Sequence, residues 1–81
     1  MQVRVLFFGQ LKEIVGTEEA TLEASEGASV EDLFSIYAQR FPRLKGFRDS
    51  VAPAVNREYA HWSAVLRPGD EVALLPPVSG G

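Results

Sequence analysis

The residues best placed to do chemistry are the last six, Pro76-Pro77-Val78-Ser79-Gly80-Gly81. The two prolines favour an extended path, because each fixes the backbone φ angle near about −65°. Six extended residues reach roughly 20 Å, which is long enough to enter a pocket on another protein. Since the glycines add no side chain, the free carboxylate of Gly81 is the distinctive chemical group of the tip. We interpret these residues as a functional arm; the alternative is an ordinary frayed terminus.

Composition argues against most other chemistry. The 81 residues include no cysteine, which excludes a disulfide framework, a thiolate metal site and a cysteine nucleophile. The single histidine, His61, argues against a zinc or iron site, and we expect it to be an ordinary loop residue. A net charge of −3 argues against nucleic-acid binding. The sequence shows neither a membrane span nor a signal peptide, so we expect a cytoplasmic protein without a membrane, metal or nucleic-acid partner.

Alternating apolar and polar residues predict four main strands. These segments are Gln2 to Phe8, Glu19 to Ala24, Val51 to Asn56 and Glu71 to Leu75. Pro53 favours an edge position or a bulge for the third strand, and Asn56-Arg57-Glu58 predicts a turn after it. The segment from Tyr59 to Ser63 is ambiguous, and a short strand is one interpretation.

Two helices are expected between these strands. A short one from Gln10 to Val15 ends at Gly16, which suits a left-handed C-terminal residue. A longer one follows Ser29, which is expected to cap it with Asp32 as the capping-box acid. The apolar residues of the longer helix recur at helical spacing: Val30, Leu33, Phe34, Tyr37, Ala38 and Phe41. This stripe predicts a helix that covers one face of the sheet.

The segment from Arg43 to Ser50 is predicted to be a loop. It carries Arg43, Lys45 and Arg48, and three cations this close could bind a phosphate or an acidic partner. We favour the simpler interpretation, in which the loop is solvated. Trp62 is expected to lie over the edge of the core.

Strand alternation also predicts a docking surface. Phe8 and Leu75 lie on the face opposite Val5 and Val72, where neither has an evident role in the core. An exposed apolar pair beside the arm indicates an interface; the alternative is that the pair fills the sheet margin. Tyr59 is a further candidate for an interface anchor.

The residues described so far resemble those of the MoaD family, the small subunits of molybdopterin synthase. The matching segments are Val5-Leu6-Phe7-Phe8, Leu11 and Glu13 before Gly16, Val55-Asn56, and Pro68-Gly69-Asp70-Glu71-Val72-Ala73 running into Pro76-Pro77-Val78-Ser79-Gly80-Gly81. The resemblance spans the whole chain, and the ending is its specific part. Related sulfur carriers for thiamine share the terminal Gly-Gly but usually lack the Pro-Pro-Val-Ser before it.

The resemblance implies an α+β, ubiquitin-like β-grasp fold. We therefore expect residues 1–75 to form a mixed sheet covered by one main helix, and residues 76–81 to form a flexible, extended C-terminal tail. The resemblance also implies a chemical cycle. An adenylating enzyme of the ubiquitin-E1 type activates the Gly81 carboxylate with ATP and magnesium, and a sulfur donor protein converts it to a thiocarboxylate. That sulfur then passes to cyclic pyranopterin monophosphate to make molybdopterin.

The same resemblance implies that the arm, from Pro76 to Gly80, enters a large subunit that holds the substrate pocket. Phe8, Tyr59 and Leu75 would contact that subunit, in a heterotetramer of two small and two large subunits. The chain itself would bind no cofactor and would be an enzyme only as the sulfur-donating subunit. Two alternatives stay open: a sulfur carrier for another pathway, such as thiamine or cysteine synthesis, and a ubiquitin-like modifier of lysines.

Overall fold

A computed structural model of the chain describes residues 1–77. The predicted arm residues Val78, Ser79, Gly80 and Gly81 lie outside the described residues. The elements are β1 (Gln2–Phe7), α1 (Gly9–Val15), β2 (Glu19–Glu23), α2 (Val30–Arg40), a 3₁₀ helix (Pro42–Phe47), β3 (Ala52–Val55), β4 (Glu58–Tyr59) and β5 (Glu71–Leu75). No helix within residues 1–77 is both long and apolar enough to cross a membrane.

The five strands form one mixed sheet in the order β2-β1-β5-β3-β4. The first and last strands are central neighbours and run parallel, whereas the other pairs are antiparallel. Helix α2 and the 3₁₀ helix pack against each other and close one face of the sheet. The predicted α+β sheet with one main covering helix is therefore confirmed.

The core lies between the helices and the inner face of the sheet. Val5 and Phe7 on β1 and Val72 and Leu74 on β5 are at most 1% exposed, in agreement with the predicted alternation. The ring of Phe7 meets that of Tyr37 edge-to-face, with 5.0 Å between centroids. Burial of these aromatic and aliphatic side chains supplies the main stabilisation of the domain.

The first turn of α2 is capped twice. The Ser29 hydroxyl accepts a hydrogen bond from the Asp32 N–H at 3.1 Å, and the Asp32 carboxylate accepts one from the Ser29 N–H at 2.9 Å. This confirms the predicted capping box. In addition, the N–H of Val30 donates to the carbonyl of Ala64, and that of Glu31 donates to the carbonyl of Trp62. Because the first N–H groups of a helix have no partner within it, these bonds fix the segment around Trp62 against α2.

The prediction of a loop from Arg43 to Ser50 is wrong in part. Residues Pro42–Phe47 form a 3₁₀ helix with Pro42 at its start, and Leu44 is 0% exposed. Such short helices carry no 3.6-residue periodicity.

The position of Pro53 also differs from expectation. Strand β3 lies between β5 and β4 and is not an edge strand. However, β4 is only two residues long and pairs with Ala54 and Val55. Pro53 lies beyond that ladder, so the side of β3 that faces β4 tolerates its missing N–H. Its carbonyl accepts a bond from the Ala60 N–H at 3.0 Å on that side, and Pro53 pairs with Leu74 of β5 on the other.

Candidate docking surface and the exit of the C-terminal arm

The outer face of the sheet, opposite the helices, divides into a charged end and an apolar end. Arg4 pairs in register with Glu71 at the charged end. Further along the same two strands, Leu6 pairs with Ala73. Since parallel strands keep the same direction, their C-terminal ends lie together, and the sequence places Phe8 and Leu75 there.

We define the outer patch as the apolar residues of this second end: Leu6, Phe8, Ala54, Tyr59, Ala73 and Leu75. Phe8 follows β1 with an extended backbone, φ −125° and ψ 154°, so its side chain continues the outward alternation of Leu6. Tyr59 is opposite Ala54 in the β3–β4 pair and is 80% exposed, while Phe8 is 43% exposed. Isolated exposed hydrophobic residues are common on proteins, but a contiguous group marks an interaction surface.

The structure brings the three predicted interface residues to one face of one sheet. Phe8 and Leu75 end neighbouring strands, and Tyr59 lies two strands beyond β5, across β3. A shallow depression of ≈ 230 Å³ is lined by Ala54, Tyr59, Ala73 and Leu75, with Arg57 at its side. Sequence alternation could not identify Ala54, because its place on the outer face depends on the pairing of β3 with β5.

The arm leaves the sheet directly from this patch. Strand β5 ends at Leu75, and Pro76 and Pro77 follow outside any element. Pro76 packs beside Gly9, where a Cβ atom would lie 3.1 Å from the proline Cγ. Gly9 also has a φ of 53°, which favours glycine. No local sequence pattern predicts this contact, which directs the start of the arm past the N-terminus of α1.

Ion pairs border the outer patch. Arg4 lies 3.1 Å from Glu19 and 3.4 Å from Glu71, and Lys12 lies 3.3 Å from Glu18. The side chains of Arg4 and Lys12 are each about half exposed, and such pairs contribute little net stability. Their positions at the margin of an apolar surface are typical of the polar rim of a protein interface.

The cations Arg43, Lys45 and Arg48 do not all line one site: Lys45 and Arg48 line the same depression beside α2, whereas Arg43 does not. Arg48 donates two hydrogen bonds to the Glu31 carboxylate, at 2.7 and 2.9 Å. These bonds hold the pKa of Glu31 below its usual value and raise that of Arg48. The Arg48 guanidinium also lies over the ring of Trp62, 4.0 Å from its centroid. Arg48 therefore links the end of the 3₁₀ helix to α2, while Arg43 and Lys45 are exposed.

Trp62 is half-buried against the core, as predicted. Its ring meets Phe34 edge-to-face at 5.2 Å. His61 beside it is exposed. Within residues 1–77, no cluster of three or more acidic or histidine side chains could hold a metal ion. No buried side-chain nitrogen or oxygen of that part lacks a hydrogen-bond partner.

Comparisons with known proteins show the family and the fold of the chain. Residues 5–81 match the ThiS family. The chain is 39% identical to the molybdopterin synthase sulfur carrier subunit of Chlamydomonas reinhardtii, over 100% of both chains. It is 40% identical to the subunit of that name from Escherichia coli K12, over 98% of this chain and 99% of the relative.

Solved structures show the same fold. SAMP1 of Haloferax volcanii, a small archaeal modifier protein, superposes with a TM-score of 0.87 at 28% identity, covering 100% of both chains. A complex of subunits 1 and 2 of the molybdopterin-converting factor from Helicobacter pylori contains a chain that matches at 32% identity, with a TM-score of 0.70 and 100% coverage of both chains. The β-grasp prediction is thereby confirmed.

Proposed function

Because the chain belongs to the ThiS family, together with the molybdopterin synthase sulfur carrier subunits, we propose that it is the sulfur-donating small subunit of a molybdopterin synthase. The observation that carries the proposal is the full-length similarity to these subunits. The arrangement of the chain supports it, since an apolar patch lies where an arm ending in Gly80-Gly81 leaves the sheet.

The proposed chemistry takes place at Gly81, outside the described residues. A carboxylate is a poor electrophile, so an E1-like adenylating enzyme first joins it to AMP from ATP, with release of pyrophosphate. A persulfide or equivalent sulfur donor then attacks the acyl carbon. AMP leaves, and after reduction of the donor linkage by thiol the terminus is a thiocarboxylate. Transfer of that sulfur to cyclic pyranopterin monophosphate, with water supplying the oxygen, regenerates the Gly81 carboxylate.

The proposed partner is the large subunit of the synthase. Phe8, Tyr59 and Leu75 would form the docking contact, and the arm from Pro76 to Gly80 would enter the large subunit's pocket. Restricting the free arm with two prolines lowers the entropy lost when it becomes ordered, which otherwise costs about 1–2 kcal/mol per residue. The Helicobacter pylori complex of subunits 1 and 2 supports a partner of this class, and a heterotetramer of two small and two large subunits belongs to the same proposal.

The chain would act without a cofactor of its own. ATP and magnesium would be used by the activating enzyme, and the pterin substrate would bind to the large subunit. A cytoplasmic location, where ATP and the pterin precursor are available, is part of the proposal. The chain alone would then catalyse nothing, and activity would appear only when the arm enters the partner.

A second candidate function is protein modification. The similarity to SAMP1 at 28% identity favours it, because an adenylated glycine can also react with a lysine amine. A carrier for thiamine or cysteine synthesis would use the same activated terminus with a different acceptor. The candidates therefore share the activation step and differ in the group that attacks Gly81 or receives its sulfur.

The deciding experiment is intact mass spectrometry after incubation with the activating enzyme, ATP and a sulfur donor. Replacing oxygen by sulfur has the same nominal mass change as oxidising Met1, so the product must also be alkylated with a thiol reagent and mapped to Gly81. Addition of the large subunit and the pterin precursor should then remove the alkylatable group and produce molybdopterin.

Deletion of Gly81 is the control, since it should leave the fold intact and abolish sulfur acceptance. A wild-type chain that never becomes alkylatable, despite an activating enzyme of proven activity, would refute a sulfur carrier. An alkylatable chain that does not discharge to the pterin would favour a carrier for another pathway. Higher-mass lysine adducts in cells, lost when Gly80 and Gly81 are deleted, would support the modifier function.

A further inference from the structure

The turn between β3 and β4 holds an unusual residue. Val55 pairs with Glu58, and the two residues between them both have positive φ, 51° at Asn56 and 71° at Arg57. A two-residue hairpin turn of this type fits the twist of the strands, and its preferred sequence is Asn-Gly. Asn56 meets this preference, whereas Arg57 occupies a position where a side chain is sterically disfavoured.

Asn56 has a clear structural role. Its amide nitrogen donates to Asp70 at 2.9 Å, and its amide oxygen accepts from the Glu71 N–H at 3.0 Å. These bonds tie the hairpin to the turn before β5. The left-handed conformation at Asn56 is therefore supported by its own side chain.

No comparable hydrogen bonds support the left-handed conformation of Arg57. Its side chain is 89% exposed, and its Nε lies 4.0 Å from Glu71. The same carboxylate lies closer to Arg4, at 3.4 Å. Arg57 makes no hydrogen bond with any other side chain or backbone group in residues 1–77. Local contacts thus give no reason for an arginine in place of glycine, and strain of this kind often marks a functional residue.

Arg57 lies beside the apolar surface. It lines the ≈ 230 Å³ depression together with Ala54, Tyr59, Ala73 and Leu75. A protein that covers the outer patch would remove water from the guanidinium as well. Desolvating a cation is unfavourable unless an anion replaces the water.

We propose that Arg57 is a specificity-determining residue of the outer patch, and that it binds a carboxylate on the surface of the large subunit. The inference rests on the proposed function. A guanidinium presents five donors in a plane and binds a carboxylate through two parallel hydrogen bonds. Tyr59 and Leu75 would bury apolar surface against the partner and so contribute affinity. Arg57 would fix the orientation of the partner and disfavour surfaces that lack a carboxylate at that place.

The test compares the affinity of the large subunit from the same genome for four small subunits: wild type, Arg57→Gln, Arg57→Glu and Arg43→Glu. Each dissociation constant is measured by calorimetry at several salt concentrations. Arg43→Glu changes the net charge as much as Arg57→Glu does, but Arg43 lies in the 3₁₀ helix on the opposite side of the sheet. We expect Arg57→Gln to weaken binding about tenfold and to flatten its salt dependence, and Arg57→Glu to weaken it by about a hundredfold or more. Arg43→Glu should bind within about twofold of wild type.

A fifth variant, Arg57→Gly, separates folding from docking. Glycine accepts the φ of 71° without a steric penalty, so this variant should melt at or above the wild-type temperature while binding as weakly as Arg57→Gln. Wild-type affinity and salt dependence in Arg57→Gln would overturn the inference and leave the proposed function standing. Equal losses in Arg43→Glu and Arg57→Glu would also overturn it, because net charge would then explain both. A wild-type chain that does not bind the large subunit would overturn the proposed function and the inference together.

Discussion

Replacing Tyr59 with alanine should weaken docking and leave the fold unchanged. A tyrosine side chain presents about 200 Å², and 80% of Tyr59 is exposed. Covering this area of roughly 160 Å² would contribute at most about 4 kcal/mol, at about 25 cal/mol per Å². Part of that gain is offset by ordering and by desolvation of the hydroxyl. We therefore expect a loss of about 1–3 kcal/mol, or roughly a 5- to 150-fold weaker complex with the large subunit.

The assay is calorimetric titration of the large subunit with the wild-type and Tyr59→Ala chains, together with urea unfolding of each free chain. The free energy of unfolding should change by less than about 1 kcal/mol, since the side chain buries little and the β-propensity scale is narrow. Val65→Ala is the matched control. Val65 is 64% exposed and lies beside Ser29 at the N-terminus of α2, so it should not affect binding. An affinity of Tyr59→Ala within about twofold of wild type would refute the outer patch as the docking surface.

Three further predictions concern the fold. Leu44→Ala should lower the free energy of unfolding by about 2–5 kcal/mol, because a fully buried leucine is removed; denaturation followed by Trp62 fluorescence measures it. Glu31→Gln should destabilise the protein at neutral pH, since Arg48 lowers the pKa of the Glu31 carboxyl. The stabilisation by the Glu31–Arg48 pair is complete above the ordinary glutamate pKa and is lost as the pH falls through the lower pKa of the folded state. The melting temperatures of wild type and variant should therefore converge in acid. Gly16→Ala should lower the free energy of unfolding in urea by about 1–2 kcal/mol, because the φ of 90° disfavours a side chain. Nothing lies within 4 Å of an added Cβ, so the loss comes from the backbone conformation and not from a steric clash.

Matched variants control these measurements. Gly46→Ala also adds a methyl group with nothing within 4 Å, but at a glycine whose φ is not positive, so it should be neutral or slightly stabilising. Equal losses at Gly16 and Gly46 would contradict the backbone argument. Glu26→Gln also removes a carboxylate, but an exposed one, and should leave the melting temperature at neutral pH unchanged. A Leu44→Ala chain as stable as wild type would show that the 3₁₀ helix does not belong to the core.

Elements determined by local sequence could be predicted. Helix α2 has a capping box at Ser29 and an uninterrupted apolar stripe, and both signals depend on residues three or four positions apart. The outward direction of Phe8 and Leu75 follows from strand alternation alone. The three candidate interface residues could therefore be named, although their roles in docking stay predictions.

Features determined by contacts between distant segments could not be predicted. Leu44 is buried because the 3₁₀ helix packs on α2, and Gly9 matters because Pro76 returns beside it. The position of Pro53 depends on how short β4 is. From the sequence, Arg57 is indistinguishable from any other turn residue, because only its φ angle and its place beside Tyr59 set it apart.

The parallel pairing of β1 with β5 has a consequence for folding. Arg4 and Glu71 are register partners although 67 positions separate them along the chain. Closing so long a loop is entropically costly, and folds dominated by such contacts form more slowly than helical domains of similar size. Phe8 and Leu75 become neighbours only when this last pairing is made. A partly folded chain therefore does not present the complete outer patch, and a partner that recognises the patch would select chains whose folding is finished.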